Sequence, residues 1–62
     1  MRMNRLPQIG DLLYAESGYL IATHLEVIAI EEKENISDTI ITVLGKYGRK
    51  YRESLWLFAG IE

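Results

Sequence analysis

The chain has 62 residues, 48% of them hydrophobic, with one histidine and no cysteine, so it is one small domain without disulfides or thiolate metal sites. A chain of this length buries only about 60% of the surface its unfolded form exposes, which disfavours a deep catalytic pocket. Seven Lys and Arg against nine Asp and Glu give a net charge of -2, and a pI near 5.3 argues against a protein that coats nucleic acid.

The start, Met1-Arg2-Met3-Asn4-Arg5-Leu6-Pro7, is charged but lacks the long apolar block of a secretory leader. Apolar runs such as Val27 to Ile30 stop after a few positions, far short of the roughly 18 to 20 residues of a membrane span. The expectation is a cytoplasmic protein without a membrane anchor, read from its initiating Met as a whole gene product.

Asp11-Leu12-Leu13-Tyr14-Ala15 has strand length and ends in the turn cluster Glu16-Ser17-Gly18. From Tyr19 to Glu31 the chain is rich in β-branched and large apolar residues, with Ile21, Thr23, Leu25 and Val27 on one alternating face. The apolar register then moves to Ile28 and Ile30, the signature of a β-bulge or a strong bend in one long strand. A helix over 24–34 competes, because Thr23 and Glu26 have capping-box spacing. The β-branched Val27, Ile28 and Ile30 favour the strand.

Glu31 to Asp38 is polar and reads as an exposed loop. Thr39 to Leu44 is the clearest strand, and Tyr51 to Phe58 follows it as another. A two-residue turn at Gly48-Arg49 would set Val43 opposite Ser54 and Ile41 opposite Trp56 on one face, with Thr42 opposite Leu55 and Ile40 opposite Leu57 on the other. Alternation would then put Leu55 and Leu57 on one side and Trp56 and Phe58 on the other. The surplus apolar face would lie under the segment around Leu6 and Ile9, or under a partner or second copy of the chain. The whole reads as all-β, a small strongly bent antiparallel barrel or roll of four to five strands, as a single domain over residues 1–62. In strand count and length it resembles the SH3-like barrels in outline.

Charge is divided unevenly along this frame. Residues 1–45 carry a net of -4, whereas Lys46, Arg49, Lys50 and Arg52 concentrate four positive charges in seven residues, interleaved with Tyr47 and Tyr51. Such a hairpin tip can grip phosphates while its aromatic faces stack on unpaired bases. It can also meet an acidic protein face, since Arg and Tyr are favoured at interfaces, or merely keep a sheet edge soluble. The acidic stretch Glu31 to Asp38 is in the same way either a solvated loop or a dock for a basic partner.

Signals for catalysis are weak. His24 has Glu26 two positions on, a conceivable acid-base pair, but one His and one carboxylate fall short of a metal's three or four ligands. Ser17, Ser37 and Ser54 have neither a nucleophile elbow nor a second histidine beside them. The five glycines match no nucleotide-binding loop. The reading is a non-enzymatic protein-interaction module, accessory or regulatory, with no cofactor and no metal. It would bind a larger protein through Lys46, Tyr47, Arg49, Lys50, Tyr51, Arg52, Trp56 and Phe58. The alternative is a nucleic-acid-binding accessory module using hairpin 46–52, and self-association into a homo-oligomer is a further candidate.

Overall fold

The computed structural model describes residues 5–62, with Ser17 described by its backbone alone. Arg2, one of the N-terminal cations, lies outside the described residues. Five antiparallel strands form one sheet, β1 (Leu12–Ser17), β2 (Leu20–Glu31), β3 (Ile40–Leu44), β4 (Lys50–Ser54) and β5 (Gly60–Ile61), in the order β4-β3-β2-β1-β5. There is no α-helix among the described residues, and thus none long and apolar enough to cross a membrane. The all-β expectation holds, but β4 and β5 stand at opposite edges and share no ladder, so the sheet is not closed.

β2 governs the shape. Its first half pairs with β1, from Leu20 opposite Ser17 to Glu26 opposite Leu12, and its second half pairs with β3, from Glu26 opposite Leu44 to Glu31 opposite Ile40. Two register shifts interrupt it. The expected one lies between Val27 and Ala29, where Ile28 is the extra residue. The other places Thr23 and His24 opposite the single residue Tyr14. Each bulge adds bend and twist, and two in twelve residues turn a flat ribbon into a curled one. The competing helix over 24–34 is excluded, because the residues up to Glu31 are strand paired with β1 or β3 and those after it, 32–34, are not helical.

β1 runs two residues past its expected end, since Glu16 and Ser17 pair with Ile21 and Leu20 across the Gly18-Tyr19 turn. Before β1, the Asp11 N–H donates to the Gln8 carbonyl at 3.0 Å, closing a turn. The Asp11 carboxylate accepts from the Gln8 N–H at 2.7 Å and from both terminal nitrogens of Arg5 at 2.8 and 3.1 Å. A further turn, a 3₁₀ turn at Ile36–Asp38, follows β2 inside the expected loop, with Asn35 Oδ1 accepting from the Ser37 N–H.

The β3–β4 register differs from the expected one by three residues. Val43 faces Tyr51, Ile41 faces Glu53, Thr42 faces Arg52 and Ile40 faces Ser54. The cause is the loop, Lys46-Tyr47-Gly48, which is one residue longer than the expected Gly48-Arg49 turn and begins two residues earlier. The Gly48 N–H donates to the Gly45 carbonyl and the Gly45 N–H to the Arg49 carbonyl, a type I turn finished by a left-handed residue. Gly48, at φ 85°, fills that left-handed position.

The apolar end is not a strand. After Ser54 the chain makes a 3₁₀ turn at Leu55–Leu57 and returns as β5 beside β1. Residues three apart share a face in such a turn, so Leu55 and Phe58 both reach the core and Leu57 joins them, while Trp56 is turned out and 62% exposed. Strand alternation cannot bury three of these four residues against one core, which corrects the expected split of Trp56 with Phe58. Leu13, Ala15, Leu20, Leu25, Val27, Ile41 and Val43 complete the buried centre. Leu6 and Ile9 remain exposed and border a shallow depression with Ile30 and Ile41 instead of covering the chain end.

Two outcomes follow from this packing. Phe58→Ala is expected to cost about 3 to 5 kcal/mol, comparable to the whole stability of so small a domain, and to abolish cooperative unfolding followed by circular dichroism. Trp56→Ala should shift the same transition only slightly. Arg5, by hydrogen bond, and then the Gln8 N–H hold the Asp11 carboxyl below its ordinary range. A depressed carboxyl contributes stability above its unfolded pKa and loses it as pH falls through the folded value. Asp11→Asn should therefore melt below wild type at neutral pH, and the gap should close below about pH 4.

Candidate binding groove

The β3–β4 hairpin tip and the β1–β2 ribbon rise from the two halves of bent β2. They enclose an open groove of about 770 Å³, within the size range of ligand-binding clefts. Tyr51 and Tyr47 with Lys46 and Arg49 line one wall, and Tyr14, Glu16 and Ile21 line the other, over Leu25 at the centre. Tyr51 sits on the core side of β4 opposite Val43 and is half-buried. Tyr47, at the tip of the loop, is 90% exposed.

Each cation of this wall lies over a ring. Lys46 Nζ is 5.3 Å from the centroid of Tyr47, and Arg49 Cζ is 5.5 Å from that of Tyr51. These distances fall within cation–π range, so the attraction orients the rings as well as the charges. No carboxylate among the described residues lies within salt-bridge distance of Lys46, Arg49 or Lys50, whereas Arg5, His24, Lys33 and Arg52 each have one.

The eight residues expected to form a site are thus divided. Lys46, Tyr47, Arg49 and Tyr51 are brought together. Lys50 and Arg52 alternate to the other face of β4, opposite Leu44 and Thr42. There Arg52 Nη2 donates to Glu31 Oε1 at 3.0 Å. Lys33 and then Arg52 draw the Glu31 carboxyl below its ordinary range. Trp56 does not line the groove, and Phe58, expected as an anchor, has no exposed surface. Strand periodicity explains the first division, because four cations in seven residues cannot share one face of a pleated strand.

Tyr14, Glu16 and Ile21 are residues of the second wall that sequence reasoning passed over. Alternation puts Ile21 on one face with Leu25 and Val27, but the bulge at Thr23-His24 separates them, leaving Ile21 76% exposed while Leu25 and Val27 are buried. Tyr14 is set by its cross-strand partner. Gly60 lies opposite it, and a β-carbon there would meet the phenol ring at 3.0 to 3.2 Å, so the ring lies over bare backbone.

His24 takes a carboxylate partner other than Glu26. In the first bulge it adopts φ 58°, rare for a non-glycine residue, and the Glu62 carboxylate accepts its backbone N–H at 2.9 Å while approaching Nδ1 at 2.9 Å. Both contacts fasten the bulge to the end of β5. Glu26 sits two residues away, paired with Leu12 and Leu44. Among the described residues no group of three or more His, Cys, Asp or Glu side chains is placed to hold a metal ion.

Gly60→Ala is expected to displace the Tyr14 ring, to cost about 1 to 3 kcal/mol as an overpacked contact, and to move the Tyr14 ring resonances in a proton spectrum. Urea unfolding measures the first effect and the spectrum the second. No family model matches the chain, and no match to it is found among curated proteins or solved structures.

Proposed function

We propose that the chain is a non-enzymatic protein-interaction module, an accessory or regulatory protein of the cytoplasm that takes an extended segment of a larger protein into the groove between its two hairpins. The single observation that carries this reading is the groove itself. It is open to solvent and lined by three tyrosines and an exposed isoleucine. Aromatic walls of this kind suit extended and proline-rich segments, which lie against flat rings with little further loss of chain entropy. Tyrosine also supplies large contact area with few rotatable bonds, the property of interface anchors.

In the same reading the curled sheet is a small barrel of SH3-like outline left open between β4 and β5. The order β4-β3-β2-β1-β5 and the double bulge of β2 support it. A nucleic-acid role has less to draw on, since Lys50 and Arg52 stand on the opposite face from Lys46 and Arg49.

Selection of random peptides displayed on phage tests the reading. Peptides recovered on the wild type should shift the backbone amides of Tyr14, Ile21, Tyr47 and Tyr51 in a nitrogen–proton correlation spectrum. Tyr47→Ala, at an exposed tip, should keep the fold and weaken binding by about tenfold or more, the effect of losing an aromatic anchor. Absence of enrichment, or shifts confined to another surface, overturns it; tighter binding of oligothymidylate than of any recovered peptide replaces it with the nucleic-acid reading.

A further inference from the structure

We propose, resting on the groove reading above, that the segment the groove takes is acidic: its carboxylates are held by Lys46 and Arg49 while its apolar side chains lie against Tyr14, Tyr51 and Ile21. The argument is one of charge complementarity within an acidic chain. Acids outnumber cations nine to seven, yet among the described residues Lys46 and Arg49, like Lys50 on the opposite face, have no carboxylate within salt-bridge distance, while Arg5, Lys33 and Arg52 each have one. Glu16 lines the same groove and still forms no ion pair with either. The two charges are held by the tyrosine rings beneath them, 5.3 and 5.5 Å away. A ring attracts the face of a cation and leaves its N–H donors free to point outward, so these groups remain able to donate charge-assisted hydrogen bonds to an incoming carboxylate.

The same arrangement disfavours a basic segment. Lysine side chains entering the groove would meet Lys46 and Arg49 and find one face of each of the Tyr47 and Tyr51 rings already taken by a cation. Like charges placed against each other suppress wrong partners more strongly than matched charges favour right ones. Specificity would therefore lie in the charge of the segment and affinity in its apolar contacts.

Fluorescence anisotropy with three labelled peptide pools tests this. Each pool mixes Pro, Leu, Ala, Tyr and Ser, and the spaced charged positions are all Glu in one, all Gln in the second and all Lys in the third. The Glu pool should bind about three- to tenfold more tightly than the Gln pool at low salt, the magnitude of one or two exposed ion pairs, and the Lys pool most weakly. Lys46→Gln and Arg49→Gln, singly and together, should erase the preference for Glu while leaving Gln-pool binding in place. Lys50→Gln, on the opposite face, should leave the preference unchanged. Equal binding of the Glu and Gln pools, or a preference that survives both substitutions, overturns the acidic segment and leaves the groove reading standing. Binding of no pool, or binding that does not respond to Tyr47→Ala, overturns the groove reading and this inference with it.

Discussion

The double bulge of β2 is the constraint on which the rest of the structure depends. A twelve-residue strand without bulges would twist but bend less sharply between the half that pairs with β1 and the half that pairs with β3. A sheet built on it would wrap less closely around a core of few residues. Because extra residues enter near His24 and at Ile28, β1 follows one half of the strand and β3 the other, overlapping at Glu26. The sheet then curls around Leu13, Leu25, Val27 and Val43, and the 3₁₀ turn after β4 closes the open side with Leu55, Leu57 and Phe58. This is how a chain with no cysteine and little surface to bury makes one contiguous core.

The first bulge is also the point of greatest backbone cost. A histidine at φ 58° persists where its surroundings hold it, and here the holder is a carboxylate thirty-eight residues away in sequence. Glu62 accepts the N–H that the bulge leaves outside the ladder and faces the imidazole at the same time. A short β5 of two residues would be a weak edge by itself. Its two ladder positions, the Ala59 and Glu62 N–H donations to β1, and the Glu62 contact to β2 tie it to two strands at once. Strand bending, the final edge and the chain end are therefore one cooperative unit.

What the sequence made legible was the part ruled by periodicity. The bulge at Ile28 was visible because the apolar alternation of Val27, Ile28 and Ile30 slips by one. The bulge at Thr23-His24 left no such trace, since its residues are polar and exposed whichever way they point. The hairpin was legible and its register was not: Gly48 fits a left-handed position either at the start of a two-residue loop or at the end of a three-residue one, and the second choice moved every partner of β4 by three residues. For the site, the cluster of cations and tyrosines was plain in the sequence, but its division between faces depended on that register. Tyr14 was hidden because its role comes from a contact with Gly60, far away in the chain.

The groove inherits these dependencies. Its walls belong to different hairpins that meet only through β2, so its width is set by the angle between the halves of that strand, which the bulges determine. A residue such as His24, which does not line the groove, still acts on its geometry through the bend it occupies. The walls differ in kind as well. Tyr14 is fixed by a backbone contact inside the sheet, whereas Tyr47 stands on a three-residue loop and is held by little beyond the Lys46 contact. In the proposed reading, such a difference would let Tyr14 set where a bound segment lies while the exposed Tyr47 ring adjusts to the side chains it carries.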